Sequence, residues 1–197
     1  MQIILATKNK GKLKEFNELA TDTDIEFIEI PSQYNFPEET GNTFFENALI
    51  KARFSFSVTG KPSLGDDSGL EVDCLNGKPG VHSSRYSKEG TDESNLKKLL
   101  FELQDVKSGD RSAKFKCCLV LVLNEEQAPI SFSGEMEGKI SEFKKGDKGF
   151  GYDPIFIPKG SSLHMAEMEK NEKNLISHRA NAFRLLIENF SLDLSKE

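Results

Sequence analysis

The chain has 197 residues, 37% hydrophobic and 29% charged, with a formal net charge of −6. At that length roughly 70% of the unfolded surface can be buried on folding, so one medium-sized domain or two small lobes can form without disulfide staples. The acidic balance excludes the basic footprint of a nucleic-acid binder, and no apolar run approaches the ~20 residues of a membrane span. No signal-type segment is present, so the expected location is cytoplasmic, with neither nucleic acid nor membrane as partner. Three cysteines, two of them adjacent at Cys117 and Cys118, read as reduced core residues on opposite faces of a strand. With no Cys-x-x-Cys pair and scattered histidines, any metal should be oxygen-bound.

Ile3 to Ala6 is an apolar, β-branched start. It is followed by the polar run Thr7 to Gly11 and by Leu13, Phe16 and Leu19 at helical spacing. This predicts strand, loop and helix. Ile25 to Ile30, ending at Pro31, predicts a second strand, and a turn-rich stretch runs to Asn42. Thr43 with Glu46 forms a capping box ahead of Phe45, Ala48, Leu49, Ala52 and Phe56, which predicts a helix over 43–57. The glycine- and proline-bearing stretch from Lys61 to Tyr86 is expected to be loops around short strands. Asp92 is expected to cap a helix with a Leu96, Leu99, Leu100 and Leu103 stripe. Phe115 to Leu123 predicts a strand buried on both faces, and 130–135 and 138–143 predict two more, partly exposed. Ser177 is expected to cap a last helix carrying Ala180, Phe183, Leu186, Ile187 and Phe190, with 191–197 fraying.

Four polar constellations interrupt these elements. Thr7-Lys8-Asn9-Lys10-Gly11-Lys12 lies between a strand and a helix, where backbone N–H groups and the helix dipole favour a phosphate. It is not a Walker A loop, and a solvated lysine turn fits the local pattern too. Asp66 and Asp67, between Gly65 and Ser68-Gly69, offer oxygens for Mg²⁺ and a base for an attacking water, although a lone pair of this kind also suits an Asx-turn. Glu38-Glu39 is a second acidic pair. Gly149-Phe150-Gly151-Tyr152-Asp153-Pro154 sets aromatics among glycines, a stacking face for a planar base or an ordinary turn cluster. Ser177-His178-Arg179, near Lys173, offers donors for base oxygens or phosphate.

In order, these segments resemble the inosine triphosphate pyrophosphatase family, also described as non-canonical purine NTP pyrophosphatases. The resemblance rests on Thr7, Asn9 and Lys12, on ETGNTFFENA from Glu39 to Ala48, and on Lys51. It continues through Asp66 to Leu70, PGVHSSRY from Pro79 to Tyr86, Phe150 to Pro154, Lys173 and Ser177 to Arg179. Ser84 stands where many relatives carry Ala. The resemblance spans residues 3 to about 190.

It implies an α/β fold with a long central mixed β-sheet and flanking helices, two lobes around a nucleotide cleft, and a homodimer. The implied reaction is Mg²⁺-dependent hydrolysis of ITP, dITP or XTP to the monophosphate and pyrophosphate, which cleanses the nucleotide pool. By the same resemblance Asp67 is the general base, with Lys12 and Lys51 catalytic. Thr7, Lys8, Asn9, Lys10, Gly11 and Lys12 hold the triphosphate, and Ser68 touches substrate. Phe150, Gly151, Tyr152, Asp153, Lys173, His178 and Arg179 hold the base and sugar. Glu38 and Asp67 are the expected metal ligands, with Glu39 the alternative to Glu38. Two rivals are a Maf-like pyrophosphatase of other modified nucleotides, which should lack the Ser-His-Arg helix start, and a nucleotide sensor that binds without turnover.

Overall fold

The computed structural model describes residues 1–194, with side chains through Phe190. It is an α/β fold on a mixed six-stranded sheet. The strands are β1 (Gln2–Leu5), β2 (Glu26–Glu29), β3 (Ser63–Val72), β4 (Ser112–Val122), β5 (Ile130–Ile140) and β6 (Phe156–Pro158). The helices are α1 (Lys10–Leu19), α2 (Phe44–Thr59), α3 (Asp92–Glu102), α4 (Lys170–Ile176) and α5 (His178–Leu194), with short 3₁₀ turns between. The strand order is β2-β1-β3-β4-β5-β6. β1 pairs parallel with β2 and with β3, while β5 and β6 pair antiparallel. Among the described residues no helix is long and apolar enough to cross a membrane.

The chain divides into two compact units. The first comprises residues 1–67, 117–134 and 180–197; the second comprises 68–116 and 135–179. Each has its own core. In the first unit, Ile3, Leu5, Phe16, Phe27, Leu64, Leu119, Leu121, Phe183 and Leu186 are buried together, with Phe16, Phe27 and Phe183 meeting edge to face. A separate cluster joins Ala48 and Ala52 of α2 to Cys118, Val120 and Val122. Cys117 belongs to the first cluster and Cys118 to the second, as strand alternation predicts, and neither is in a disulfide. In the second unit, Leu70, Val72, Leu96, Leu99, Leu103, Phe115, Ile140 and Phe156 form the core.

Most predicted elements appear within a residue or two of their expected ends, and four differences are informative. The stretch expected to be loops contains β3, ten residues long and buried at all but Ser68 and Glu71. Its glycines and aspartates are poor strand formers in isolation; they are held by tertiary contacts described below. The two strands expected at 130–135 and 138–143 are one continuous β5, because Gly138 sits where a Cβ would lie 2.4 Å from the Ile157 carbonyl oxygen and so permits close pairing with β6. The cap of α3 is Thr91, in a capping box with Ser94, and Asp92 is the first helical residue. α4 was not predicted; its apolar residues Leu175 and Ile176 are exposed, so it lacks the buried stripe that reveals a helix in sequence. The last helix starts at His178, directly after Ser177, and is helical to Leu194. The expected fraying of 191–197 concerns side chains and, at 195–197, backbone outside the described residues.

Candidate active site

In the first unit the polar constellations converge on β3. Adjacent strand residues point to opposite faces, so Asp66 and Asp67 have different partners. Asp66 is fully buried, its Oδ2 lies 2.7 Å from Lys12 Nζ, and its Oδ1 accepts from the Cys117 thiol at 3.5 Å. Asp67 meets α2: Lys51 Nζ is 3.1 Å from Oδ1, and Asn47 Nδ2 donates to Oδ2 at 3.1 Å.

Two residues before Asp67 along the strand, Gly65 explains how α2 comes so near. A Cβ there would stand 2.0 Å from the Ala48 carbonyl oxygen, so only glycine lets the helix backbone rest on the strand. Ala48 and Ala52, both fully buried, keep the facing side of α2 thin.

The capping box of α2, with Thr43 Oγ1 accepting from Glu46 N and Glu46 Oε2 accepting from Thr43 N, fixes where the helix begins. One and two turns on, Asn47 and Lys51 both project toward Asp67. Lys51 Nζ also lies 2.7 Å from Glu39 Oε1, so one ammonium joins two carboxylates. Glu39 is the member of the acidic pair brought into this cluster; Glu38 is exposed, and its pairing with Asp67 is not among the contacts that shape that carboxyl group.

The electrostatics follow from burial. Desolvation pushes the Asp67 carboxyl above its ordinary range, the Glu39 charge adds to this, and Lys51 and the Asn47 hydrogen bond only partly oppose it. Lys51 is also largely desolvated, which disfavours its charge, but Asp67, Glu39 and Asp66 outweigh that and hold it cationic.

The Thr7–Lys12 loop is a self-capped turn. Asn9 Oδ1 accepts from Gly11 N at 2.8 Å and Lys12 N at 3.2 Å, and Thr7 Oγ1 accepts from Asn9 N at 3.1 Å. Asn9 is the N-cap of α1. Lys8 and Lys10 are exposed, with Lys8 Nζ on Asn35 Oδ1 at 3.0 Å. Lys12 is turned inward to Asp66.

The second unit holds Ser68, at its first residue, and the remaining predicted positions. Phe150 is 37% exposed, and both Lys173 Nζ and Arg179 Cζ lie 5.3 Å from its ring centroid. Asp153 Oδ2 accepts from Phe150 N at 3.1 Å and from Lys173 Nζ at 2.7 Å, so a single buried carboxylate ties the loop to α4. Gly149, at φ 80°, is required here: a Cβ would lie 2.1 Å from that same oxygen. Gly151 N donates to Asp92 Oδ2 at 2.8 Å, a loop anchor that sequence patterning assigned only to helix capping.

Tyr152 and His178 are more enclosed than the sequence suggested. Tyr152 is core, its hydroxyl donates to the Ser83 carbonyl at 2.8 Å, and burial pushes its phenol upward. His178 is buried with its ring stacked on Phe115 at 4.9 Å and 12°. Arg179 is buried to a similar degree, with its guanidinium near Phe150.

The chain matches the Ham1 family model over residues 3–189. It is 46% identical over 191 residues to the dITP/XTP pyrophosphatase of Vibrio cholerae, covering 95% of each chain. It is 48% identical to that of Oceanobacillus iheyensis, covering 92% of this chain and 93% of that one. Among solved structures it is similar to the Staphylococcus aureus Ham1 protein, with a TM-score of 0.86, 37% identity and coverage of 98% of this chain and 100% of that one. It is also similar to a HAM1 protein from Coxiella burnetii, with a TM-score of 0.84, 43% identity and full coverage of both chains. The chain belongs to the Ham1 family.

Proposed function

We infer that the chain hydrolyses non-canonical purine nucleoside triphosphates, dITP, XTP and ITP, to the monophosphate and pyrophosphate, and so acts in cleansing the nucleotide pool. The observation that carries this is the buried Asp67, held between Lys51 and Asn47 on a glycine-thinned contact with α2. The names of close, nearly full-length relatives support the substrate class.

Asp67 is the general base. Each of its oxygens makes one hydrogen bond and keeps a lone pair, so either can accept a proton from water. The water oxygen forms a bond to the α-phosphorus, its proton goes to Asp67, and the bond to the bridging oxygen breaks with pyrophosphate leaving. Lys51 and Lys12 supply fixed positive charge as negative charge builds on the leaving group. Thr7 to Lys12 take the phosphate chain, with Asn9 pre-shaping the turn. Phe150 offers its exposed ring to the base, and Arg179 and His178 supply donors that suit a 6-oxo edge and leave adenine mispaired.

A divalent cation fits the donor set. Glu39 and Asp67 share one ammonium, and burial together with Glu39 raises the Asp67 carboxyl, a charge imbalance that hard Mg²⁺ offsets through oxygen ligands. Glu39 and Asp67 are thus the ligands we assign, Glu39 in place of Glu38. When bound, Mg²⁺ polarises the phosphoryl oxygens and neutralises their charge. The same reading takes the protein to be a cytoplasmic homodimer that binds a small nucleotide.

Pyrophosphate release from ITP, XTP, dITP, GTP and ATP, with Mg²⁺ and with EDTA, tests the whole reading. Mg²⁺-dependent release from the first three, with the monophosphate, supports it. Orthophosphate release points to a phosphohydrolase, and tight binding without turnover points to a sensor.

A further inference from the structure

Asn47 is fully buried, and its side chain has two partners that come from different parts of the chain. Its Nδ2 donates to Asp67 Oδ2 at 3.1 Å, and its Oδ1 accepts from Gly41 N at 2.8 Å. Gly41 follows Glu39 by two residues in the loop before α2. A Cβ at Gly41 would lie 2.7 Å from Asn47 Oδ1 and 2.6 Å from the Glu46 Cβ, so the loop backbone can reach Asn47 only as glycine. A single amide therefore connects the strand that carries Asp67 to the loop that carries Glu39. Lys51, one turn further along α2, makes the charged version of the same connection through Glu39 and Asp67.

The two connections differ in what they specify. An ammonium has three donors on a rotatable stem and attracts charge from a range of directions, whereas a buried carboxamide is planar and presents its donor and acceptor at fixed positions. Lys51 holds Oδ1, and the Asn47 hydrogen bond on Oδ2 sets the rotation of the carboxylate plane about the Cβ–Cγ bond. That rotation decides where the remaining lone pairs point. Asn47 Oδ1 could not serve Asp67, since two acceptors would face each other, so the bond to Gly41 N fixes the orientation of the amide as well.

We propose that Asn47 is a positioning residue which, by bridging Asp67 and the Gly41 backbone, orients the base and keeps the Glu39 loop in register with it. The proposal rests on Asp67 being the base. Misplacement of a reacting group by about 1 Å costs on the order of a hundredfold in rate, so the effect belongs in kcat rather than in nucleotide affinity.

The test compares wild type with Asn47→Asp and Asn47→Ala, using pyrophosphate release from ITP at saturating Mg²⁺, with circular dichroism and thermal melting on each protein. Asn47→Ala removes both hydrogen bonds without adding charge, whereas Asn47→Asp keeps the acceptor for Gly41 N, loses the donor to Asp67 and sets a second buried carboxylate against it. The expected result is a kcat lowered by roughly tenfold to a hundredfold in both variants, with KM for ITP changed by less than about threefold, the Ala variant folded at the assay temperature and the Asp variant melting below wild type. A folded Asn47→Ala with kcat within about twofold of wild type overturns the proposal, as does a rise in KM at constant kcat. If wild type releases no pyrophosphate, the reading of Asp67 fails first and takes the proposal with it; wild-type turnover with an unaffected variant removes Asn47 alone.

Discussion

Lys51 Nζ lies 3.1 Å from Asp67 Oδ1 inside the first unit, and the same ammonium is 2.7 Å from Glu39 Oε1. Removing it leaves two carboxylates facing each other with little water to screen them. Loss of one partner of a buried pair costs about 3–5 kcal/mol, discounted here because about a quarter of the Glu39 side chain is exposed. Lys51→Met is expected to lose most turnover and to lower the melting temperature, and added Mg²⁺ should restore part of the lost stability. Thermal melts in EDTA and in Mg²⁺ check this.

Asp67→Asn should abolish most activity without harming the fold. The sign follows from burial: the Asp67 carboxyl is raised above its ordinary 3.8, so folding carries a cost once the pH is high enough to ionise it. That cost is absent at low pH, grows as pH rises from the ordinary value to the raised one, and is constant above it. Relative to wild type in EDTA, the variant should gain in melting temperature as pH rises from the ordinary carboxylate range toward the raised value. A relative melting temperature that falls over that rise in pH would contradict this, and near-wild-type turnover would exclude Asp67 as base.

Gly65→Ala tests the approach of α2. The added Cβ would meet backbone 2.0 Å away, which no rotamer change relieves. The expected effect is a loss of about 1–3 kcal/mol or more, together with loss of turnover, because α2 carries Asn47 and Lys51. Gly60→Ala, at the left-handed C-cap of the same helix with open space around it, should cost about 1 kcal/mol and leave turnover per folded molecule unchanged.

In the second unit, Arg179→Ala should weaken the preference for ITP over ATP by roughly tenfold, the effect of about 1–3 kcal/mol from one lost buried donor. Competition kinetics with the two nucleotides measure it directly. Unchanged selectivity would remove Arg179 from base reading.

Arg111 makes a contrasting prediction. Its buried guanidinium donates to the carbonyl oxygens of Leu103, Val106 and Ser141, closing the C-terminal end of α3. Arg111→Ala should destabilise the protein by about 3 kcal/mol, since several buried acceptors lose their donor, while kcat per folded molecule stays as it was. Urea denaturation followed by activity on the folded fraction separates the two effects.

Periodicity and capping were enough to place α1, α2, α3, α5 and the buried β4, because their apolar spacing and cap residues are local signals. The ordered motifs were also enough to assign the family. The length of β3 was not legible, since its Gly-Asp-Asp-Ser-Gly run resembles a turn until Lys12, Lys51 and Asn47 arrive from distant segments to neutralise and bond it. That Glu39 is the glutamate paired with Lys51, and that Tyr152 and His178 are buried, was hidden for a related reason. Adjacent acidic residues look identical in one dimension, and an aromatic among glycines shows no sign of which side it will bury. Local sequence determined which helices and strands form and which chemistry they carry. Tertiary structure decided which carboxylate faces which lysine, because ion pairing and desolvation depend on distances that only packing sets.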